Sequence, residues 1–289
     1  MNVLSGIVHD LPEHEYHAHP ALSSTGARLL LPEYKGSPKK FQWARTHPRT
    51  SRAFDVGHAV HAKVLGVGAG TVEYPVEHLT PSGNVSTKAA TGAWETEQRA
   101  AGLTPVSPSE AAAVDAMAEA LLAHESAAPL LEVAIHREVS VFADIDGVPC
   151  RARFDALSDE TRRGVLAVDV KSAADATVGG FMRDADKYGY DVQEGQYRDV
   201  YAASEGHGID EFWFIVLEKS GPYEVGVRAL TEEWVRMGRK KAARARDIFR
   251  ECTDRRVWPG YDTTPEHVAP PAYAVIDYEL EYENGEIQV

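Results

Sequence analysis

The sequence predicts an α/β or α+β fold, in which helices flank a central sheet. Two periodicities indicate this: apolar residues recur at helical spacing in the N-terminal part, and polar and apolar residues alternate over residues 138–143. Hydrophobic residues make up 44% of the 289 residues and charged residues 26%, as in ordinary soluble proteins. The length is sufficient to bury a sizeable core in one large domain or two small ones.

Helix signals mark the N-terminal part. Ser23, Ser24 and Thr25 are residue types that cap helices, and the leucine-rich run after them stops at Pro32. Further helices are predicted over residues 54–65, 88–101 and 109–124. Residues 1–20 contain four irregularly spaced histidines, and we interpret them as a solvated arm. Residues 66–108 are predicted to form a long surface excursion around the short helix 88–101.

Strands follow in the middle of the chain. Residues 138–143 and 148–157 flank Asp146-Gly147, a hairpin-turn dipeptide. Residues 165–171 form a third strand, which is nearly all apolar and therefore expected at the centre of the sheet. Residues 178–205 are predicted as helix, residues 211–217 and 223–228 as strands, and Thr231 as the cap of a last long helix. We expect one domain over residues 21–262 and an acidic tail over residues 263–289.

Composition argues against several classes of protein. No apolar run approaches the roughly 20 residues of a membrane helix, and residues 1–20 do not resemble a signal peptide. We therefore expect a cytoplasmic protein without a membrane partner. Two cysteines, Cys150 and Cys252, are too few for a disulfide framework or a four-cysteine cluster. The net charge of −14 is not typical of a nucleic-acid-binding protein, although it is compatible with a local basic surface.

Three charged residues lie inside apolar strands: Asp155, Asp169 and Lys171. Asp169 and Lys171 are two residues apart and share one face of their strand. Asp155 and Asp169 are equidistant from residue 162, so antiparallel pairing places them opposite each other. Two carboxylates this close repel unless a cation lies between them, which predicts a Mg²⁺ site that Mn²⁺ can also fill. The alternative is an ordinary salt bridge between Asp155 and Lys171.

Phosphodiester hydrolysis suits such a site. A divalent cation polarises a phosphate and lowers the pKa of a bound water. A neighbouring lysine can orient that water and stabilise the charge that develops. The chain has no P-loop motif, so we expect no dependence on ATP.

Three motifs resemble those of the PD-(D/E)XK nuclease superfamily. Asp155 with Asp169-Val170-Lys171 is similar to its D…(D/E)-x-K signature. The segment GHAVH (57–61) resembles the G-x-x-x-H helix of the RecB-like branch, and QEGQY (193–197) matches its Q-x-x-x-Y motif. The segments LSSTGA (22–27), RARFD (151–155), YGYDVQ (188–193) and WPGY (258–261) resemble phage and prophage exonucleases of the RecE (exonuclease VIII) type.

The resemblance covers residues 20–262 and implies a restriction-endonuclease-like core, with a central mixed sheet flanked by helices. It implies a Mg²⁺-dependent exonuclease that digests linear double-stranded DNA from 5′ to 3′ and leaves 3′ single strands for phage-type recombination. Double-stranded DNA ends, a ring-shaped homo-oligomer and a RecT-type single-strand annealing protein are the implied partners, in a bacterial host of a phage or prophage. Relatives that carry an iron–sulfur cluster use four cysteines, so we expect no such cluster. An endonuclease or repair nuclease of the same fold, an inactive DNA-binding or inhibitory protein and an acidic structural protein are the alternatives.

The resemblance also implies roles for individual residues. The implied metal ligands are His61, Asp155, Asp169, the Val170 backbone carbonyl and, as an outer acid, Glu138. The implied catalytic set is Asp155, Asp169, Lys171, Gln193 and Tyr197. His58, three residues before His61, is the rival metal ligand.

Two segments are locally basic. Residues 35–52 hold six Lys or Arg and no acid, interleaved with aromatic residues, which suits frayed DNA ends and single strands. Residues 236–256 hold nine basic residues and are either a phosphate-binding surface or a solvated helix face. The predicted DNA contacts are Lys39, Lys40, Trp43, Arg45, Arg49, Arg52 and Arg153, with Ser23, Ser24 and Arg28 as candidates for the pocket that binds the 5′-phosphate.

Overall fold

The structure, a computed structural model, describes residues 5–47, 52–68, 70–162, 164–262 and 264–283. It divides into two compact units, Met1–Pro259 and Gly260–Val289. The strands, all in the first unit, are β1 (Gly6–Val8), β2 (Gly70–Glu73), β3 (Leu103–Val106), β4 (His136–Ile145), β5 (Val148–Leu157), β6 (Leu166–Ala173), β7 (Glu211–Glu218) and β8 (Val225–Arg228). The helices of that unit are α1 (Glu13–Ala18), α2 (Ser24–Leu30), α3 (Pro38–Thr46), α4 (Arg52–Leu65), α5 (Ala89–Ala100), α6 (Pro108–Leu122), α7 (Ala127–Val133), α8 (Val178–Tyr188), α9 (Tyr190–Glu205) and α10 (Glu232–Arg255).

A six-stranded sheet forms the centre of the first unit, in the order β1-β4-β5-β6-β7-β8. Only β6 and β7 pair in parallel, and the other neighbours are antiparallel. Asp146 and Gly147 both have positive φ, 52° and 81°, as a two-residue hairpin turn between β4 and β5 requires. The predicted central mixed sheet flanked by helices is confirmed.

Two hydrophobic cores cover the two faces of this sheet. Phe154 and Phe214 belong to the core beneath α2, α9 and α10. Met117 and Leu121 of α6 belong to the core that includes α4 and α7. Because apolar side chains project from both faces of β6 and β7, these strands are nearly all apolar in sequence.

The described part of residues 1–20 is packed against the sheet, so the expected solvated arm is wrong there. β1 pairs with β4, placing Ile7 opposite Val141. Tyr16 of α1 is only 5% exposed and packs with Leu11 and Phe142. A three-residue strand is too short to show the alternation that would have predicted it.

The segment 66–108 is more ordered than a surface excursion. β2 and β3 pair in parallel, and Val106 at the end of β3 is buried in the core around α6. Helix α5 lies within one residue at each end of the helix predicted over residues 88–101.

A glycine divides the helix predicted over residues 178–205 into α8 and α9. Gly189 has φ +67°, and a Cβ there would lie 3.1 Å from side-chain atoms of both Arg28 and Tyr34. Glycine is therefore required for the bend. The bend starts α9 at Tyr190.

The second unit contains α11 (Ala272–Tyr278), followed by a π-helical turn (Glu279–Glu283). Across the described ranges, no helix has both the length and the apolar character needed to cross a membrane.

Candidate metal centre

Three carboxylates form a row across β4, β5 and β6. In the β4–β5 ladder, the pairs Arg137↔Ala156 and Val139↔Phe154 flank the position where Glu138 faces Asp155. In the β5–β6 ladder, pairing stops at Ala156↔Val168, one position before Asp155 and Asp169. The equidistance of the two aspartates from residue 162 therefore predicted their register correctly. The acids stand where β5 and β6 separate, so the sheet opens at the row.

His61 lies on α4 and reaches this row from the face of the sheet that α4 covers. Its Nε2 donates to the Val170 carbonyl oxygen over 2.8 Å, and its Nδ1 lies 3.5 Å from Asp155 Oδ2. With the proton on Nε2, the lone pair of Nδ1 faces the acids, as a metal-binding imidazole requires. The Val170 carbonyl, an implied metal ligand, is occupied by His61 in this structure.

Among the described residues, the rival His58 is not part of the cluster formed by His61, Glu138 and Asp155. Its Nε2 lies 4.0 Å from Glu13 on α1, and 57% of its side chain is exposed.

Asp169 is held by two neighbours. Gln193 of α9 donates through Nε2 to its Oδ1 over 2.5 Å. Lys171 Nζ lies 2.6 Å from its Oδ2, without hydrogen-bond geometry, so among the described residues this buried oxygen has no hydrogen-bond partner. The Lys171 ammonium also lies 5.0 Å from the centre of the Tyr190 ring, a distance at which cation–π attraction restrains it.

The donor set fits a divalent cation. Ligand atoms of His61, Glu138 and Asp155 lie within 4.8 Å of one another. Burial raises the pKa of Asp155 to about 7, His61 opposes this shift, and the charges of Asp169 and Glu138 add to it. A bound cation would favour the charged carboxylate and relieve that repulsion. Asp169 is not a member of this set, and its Oδ2 is ion-paired with the Lys171 ammonium.

A carboxylate oxygen of Glu138 lies among the clustered ligand atoms, whereas the resemblance implied only an outer position for this residue. It has φ +50°, and its Oε2 accepts a 2.6 Å hydrogen bond from Arg153 Nε. A register argument could have placed it, because Glu138 and Asp155 are equidistant from the Asp146-Gly147 turn, just as Asp155 and Asp169 are from residue 162.

The Tyr197 ring lies in the core, and the charges of Asp169 and Asp155 act on its hydroxyl. It is 7% exposed, and its ring packs edge-on against Phe154, with centroids 4.9 Å apart. Burial raises the pKa of its hydroxyl well above the usual value. Gln193 and Tyr197 thus share one helix, but only Gln193 contacts the acids through a described hydrogen bond.

The predicted DNA contacts separate into three groups. Lys39, Lys40, Trp43 and Arg45 lie exposed on α3, whereas Arg49 and the side chain of Arg52 lie outside the described residues. Arg153 faces inward onto Glu138. On α2, the Ser23 hydroxyl is engaged in capping Gly26, Ser24 begins the helix, and Arg28 donates to the Tyr188 carbonyl oxygen.

The second basic segment lies on α10, and its residues have different neighbours. Arg236 and Lys240 of α10 line a groove of about 920 Å³ together with Trp213. Arg244 instead lies 3.7 Å from Glu33.

Comparison with known proteins supports the assignment of the fold. A family model described as a PDDEXK-like domain of unknown function (DUF3799) matches residues 35–267. No curated protein matches the sequence. The crystal structure of a protein from Eubacterium rectale, named "Putative exonuclease", superposes with a TM-score of 0.60 at 12% identity, over 93% of this chain and 96% of that chain. At this identity the match shows the restriction-endonuclease-like fold alone. Since the family model spans most of the sequence, the chain belongs to this family of PDDEXK-like domains.

Proposed function

We propose that this protein is a divalent-metal-dependent DNA nuclease, and that it acts as an exonuclease on the ends of linear double-stranded DNA. The observation that carries the proposal is the row of Glu138, Asp155 and Asp169 at the point where the sheet opens, with Lys171 beside Asp169. The family membership and the name of the structural neighbour agree with a nuclease.

His61, Glu138 and Asp155 would hold the cation, with Asp169 beside them. A cation there supplies charge that polarises a phosphate and lowers the pKa of water. Mg²⁺ and Mn²⁺ both accept carboxylate ligands, and the imidazole makes Mn²⁺ the tighter binder.

The remaining side chains orient the reacting groups. The Lys171 ammonium, confined between Asp169 and the Tyr190 ring, stabilises negative charge as it develops on the phosphate. Gln193 fixes the rotamer of Asp169 through its amide. The Nε2 hydrogen bond of His61 holds its ring so that Nδ1 faces the acids.

The finer parts of the proposal rest on the RecE-type segments of the sequence. They are digestion from 5′ to 3′, production of 3′ single strands for phage-type recombination, a ring-shaped homo-oligomer, a RecT-type annealing partner and a cytoplasmic location. An acidic protein can surround DNA if its basic residues face the channel, since the local potential governs binding more than the net charge does.

The test is digestion of linear duplex DNA labelled at either the 5′ or the 3′ end, with Mg²⁺, Mn²⁺ or EDTA. Asp169→Asn and Lys171→Met should abolish nucleotide release while DNA still binds. Asp247→Asn is the matched control, because Asp247 is an exposed acid on α10 that pairs with Arg250.

Release from 5′ ends that requires the metal, Asp169 and Lys171 supports the metal-dependent exonuclease and its 5′ to 3′ direction. Cleavage of covalently closed circles would replace the exonuclease with an endonuclease. DNA binding without cleavage under any metal would refute the catalytic proposal.

A further inference from the structure

The N-terminal segment, residues 5–22, lies against the strand that carries Glu138. β1 pairs with β4 through Val8↔Ser140, two residues along β4 from Glu138. The segment precedes residues 35–267, which the family model matches.

Arg153 connects this segment to Glu138. Its Nε donates to Glu138 Oε2 over 2.6 Å, and its Nη1 donates to the Leu11 carbonyl oxygen over 3.0 Å. Nη1 also lies 3.4 Å from the Ser140 hydroxyl. One planar guanidinium thus holds the carboxylate of Glu138 while it is itself held by the backbone of the N-terminal segment.

Tyr16 stabilises the position of that guanidinium. The Arg153 Cζ lies 5.4 Å from the centre of the Tyr16 ring, and the Arg151 Cζ lies 4.5 Å from it. Two buried cations in this position repel each other, and attraction to the ring face offsets part of that repulsion. Tyr16 is almost fully buried, so the arrangement is part of the packed fold.

The same segment also contacts α4, the helix that supplies His61. Glu13 Oε1 lies 4.0 Å from His58 Nε2, one helical turn before His61. The hydrogen bond with His17 lowers the pKa of Glu13 to about 2, against the effect of burial and with help from His58 and Arg153. Glu13 therefore stays charged where α1 approaches His58 of α4.

We propose that residues 5–22 support the metal centre, and that Tyr16 and Arg153 are positioning residues that hold the Glu138 carboxylate towards His61 and Asp155. The inference rests on the proposed function, because it takes Glu138 as a metal ligand. Glu138 needs this support because a non-glycine residue at φ +50° is costly, so the surroundings must maintain its conformation.

The test is Mn²⁺ affinity, measured by calorimetry on the full-length protein without DNA, for four variants. Arg153→Met and Tyr16→Leu should each weaken Mn²⁺ binding about tenfold, the usual effect of removing a group that orients a ligand. Tyr16→Phe keeps the ring face and should restore the affinity lost in Tyr16→Leu. Arg250→Met is the matched control, because Arg250 also donates to a backbone carbonyl, that of Asp146, and pairs with an acid on the surface of α10.

DNA cleavage gives a second measurement. In Arg153→Met, the Mn²⁺ concentration for half-maximal cleavage should rise about tenfold, while kcat at saturating Mn²⁺ stays near that of the wild type. A role in folding alone would lower the thermal midpoint without moving the Mn²⁺ affinity of the folded protein. If Arg153→Met does not fold, Tyr16→Leu provides the same test. That variant retains both Arg153 and Glu138 and removes only the ring that positions Arg153.

Two failures are distinguishable. If the wild type binds Mn²⁺ and cleaves DNA but Arg153→Met and Tyr16→Leu bind Mn²⁺ equally well, the inference is overturned and the proposed function stands. If the wild type neither binds Mn²⁺ nor cleaves DNA, the proposed function fails, and the inference fails with it.

Discussion

Gln193 Nε2 donates a hydrogen bond to Asp169 Oδ1 over 2.5 Å, and this contact joins helix α9 to the acidic row of the sheet. The two residues are 24 positions apart in the chain, with α8 and the Gly189 bend between them. Gln193 lies in the first turn of α9, so the bend at Gly189 determines where its amide points. The hydrogen bond also determines which oxygen of Asp169 faces Lys171.

Gln193→Leu should therefore lower kcat while the protein stays folded. A hydrogen bond to a charged group is worth about 1.5–3 kcal/mol, which corresponds to a decrease of about 10- to 100-fold in rate. Single-turnover cleavage of labelled duplex measures the effect. Gln98→Leu, at a half-buried glutamine on α5, is the control, and an unchanged rate in Gln193→Leu would remove Gln193 from the site.

Glu138 allows a second prediction, which separates its backbone conformation from its carboxylate. Both Glu138→Ala and Glu138→Gly remove the carboxylate, so both should lose Mn²⁺ affinity to the same extent. At φ +50° only glycine relieves the strain, so the glycine variant should be more stable than the alanine variant by about 1 kcal/mol. Urea unfolding in EDTA measures the difference. Equal stability of the two variants would mean that the positive φ carries no cost.

Glu194 predicts a pH dependence of stability. It is 1% exposed, its Oε1 accepts from Arg198 Nε over 2.8 Å, and among the described residues its Oε2 has no hydrogen-bond partner. Burial raises the pKa of Glu194 to about 7 from the ordinary 4.5. The folded state therefore holds this proton more tightly than the unfolded state, and this contribution to stability is lost as pH rises from 4.5 towards 7.

The measurement is the free energy of unfolding of the wild type and Glu194→Gln between pH 4.5 and 8. The wild type should lose stability relative to the variant over this window, by up to about 3 kcal/mol. Glu119→Gln, at an exposed acid on α6, should show no such trend. A constant difference between wild type and Glu194→Gln would show that the pKa of Glu194 is not raised.

The sequence predicted those parts of the site that depend on pairing between neighbouring strands. The equidistance of Asp155 and Asp169 from residue 162 is a local relationship, since an antiparallel pair keeps a constant sum of residue numbers. The β5 strand was predicted with its observed bounds for the same reason. The same arithmetic around Asp146-Gly147 would also have placed Glu138 opposite Asp155, whereas the resemblance alone implied an outer position for it.

Contacts between distant segments were not predictable in this way. The packing of Tyr16 onto Arg151 and Arg153 joins residues more than 130 positions apart, and periodicity within a short segment carries no signal for it. Tyr197 shows a related limit. The motif placed it correctly on a helix with Gln193, but the buried aromatic residues around Phe154 decide that its ring lies in the core.

The last prediction concerns Trp43 and the DNA surface. Trp43 is 62% exposed on α3, and its ring stacks on His47 with centroids 3.5 Å apart. An exposed indole one helical turn after the exposed Lys39 suits an unpaired base and its phosphate. Trp43→Ala should therefore weaken binding to frayed or single-stranded ends by about 1–3 kcal/mol, the usual value of one stacked base.

Salt dependence distinguishes the stacking contribution from the charge contribution. Trp43→Ala removes no charge, so the slope of log affinity against log salt should stay as in the wild type, whereas Lys39→Glu should make it shallower. Lys219→Glu, the same charge reversal at an exposed lysine next to the β7 strand, is the control and should leave the slope nearly unchanged. Fluorescence anisotropy with blunt, frayed and single-stranded ends measures both quantities. If Trp43→Ala binds all three DNAs as tightly as the wild type, α3 does not contact unpaired bases, and the groove that Arg236 and Lys240 of α10 line becomes the next surface to test.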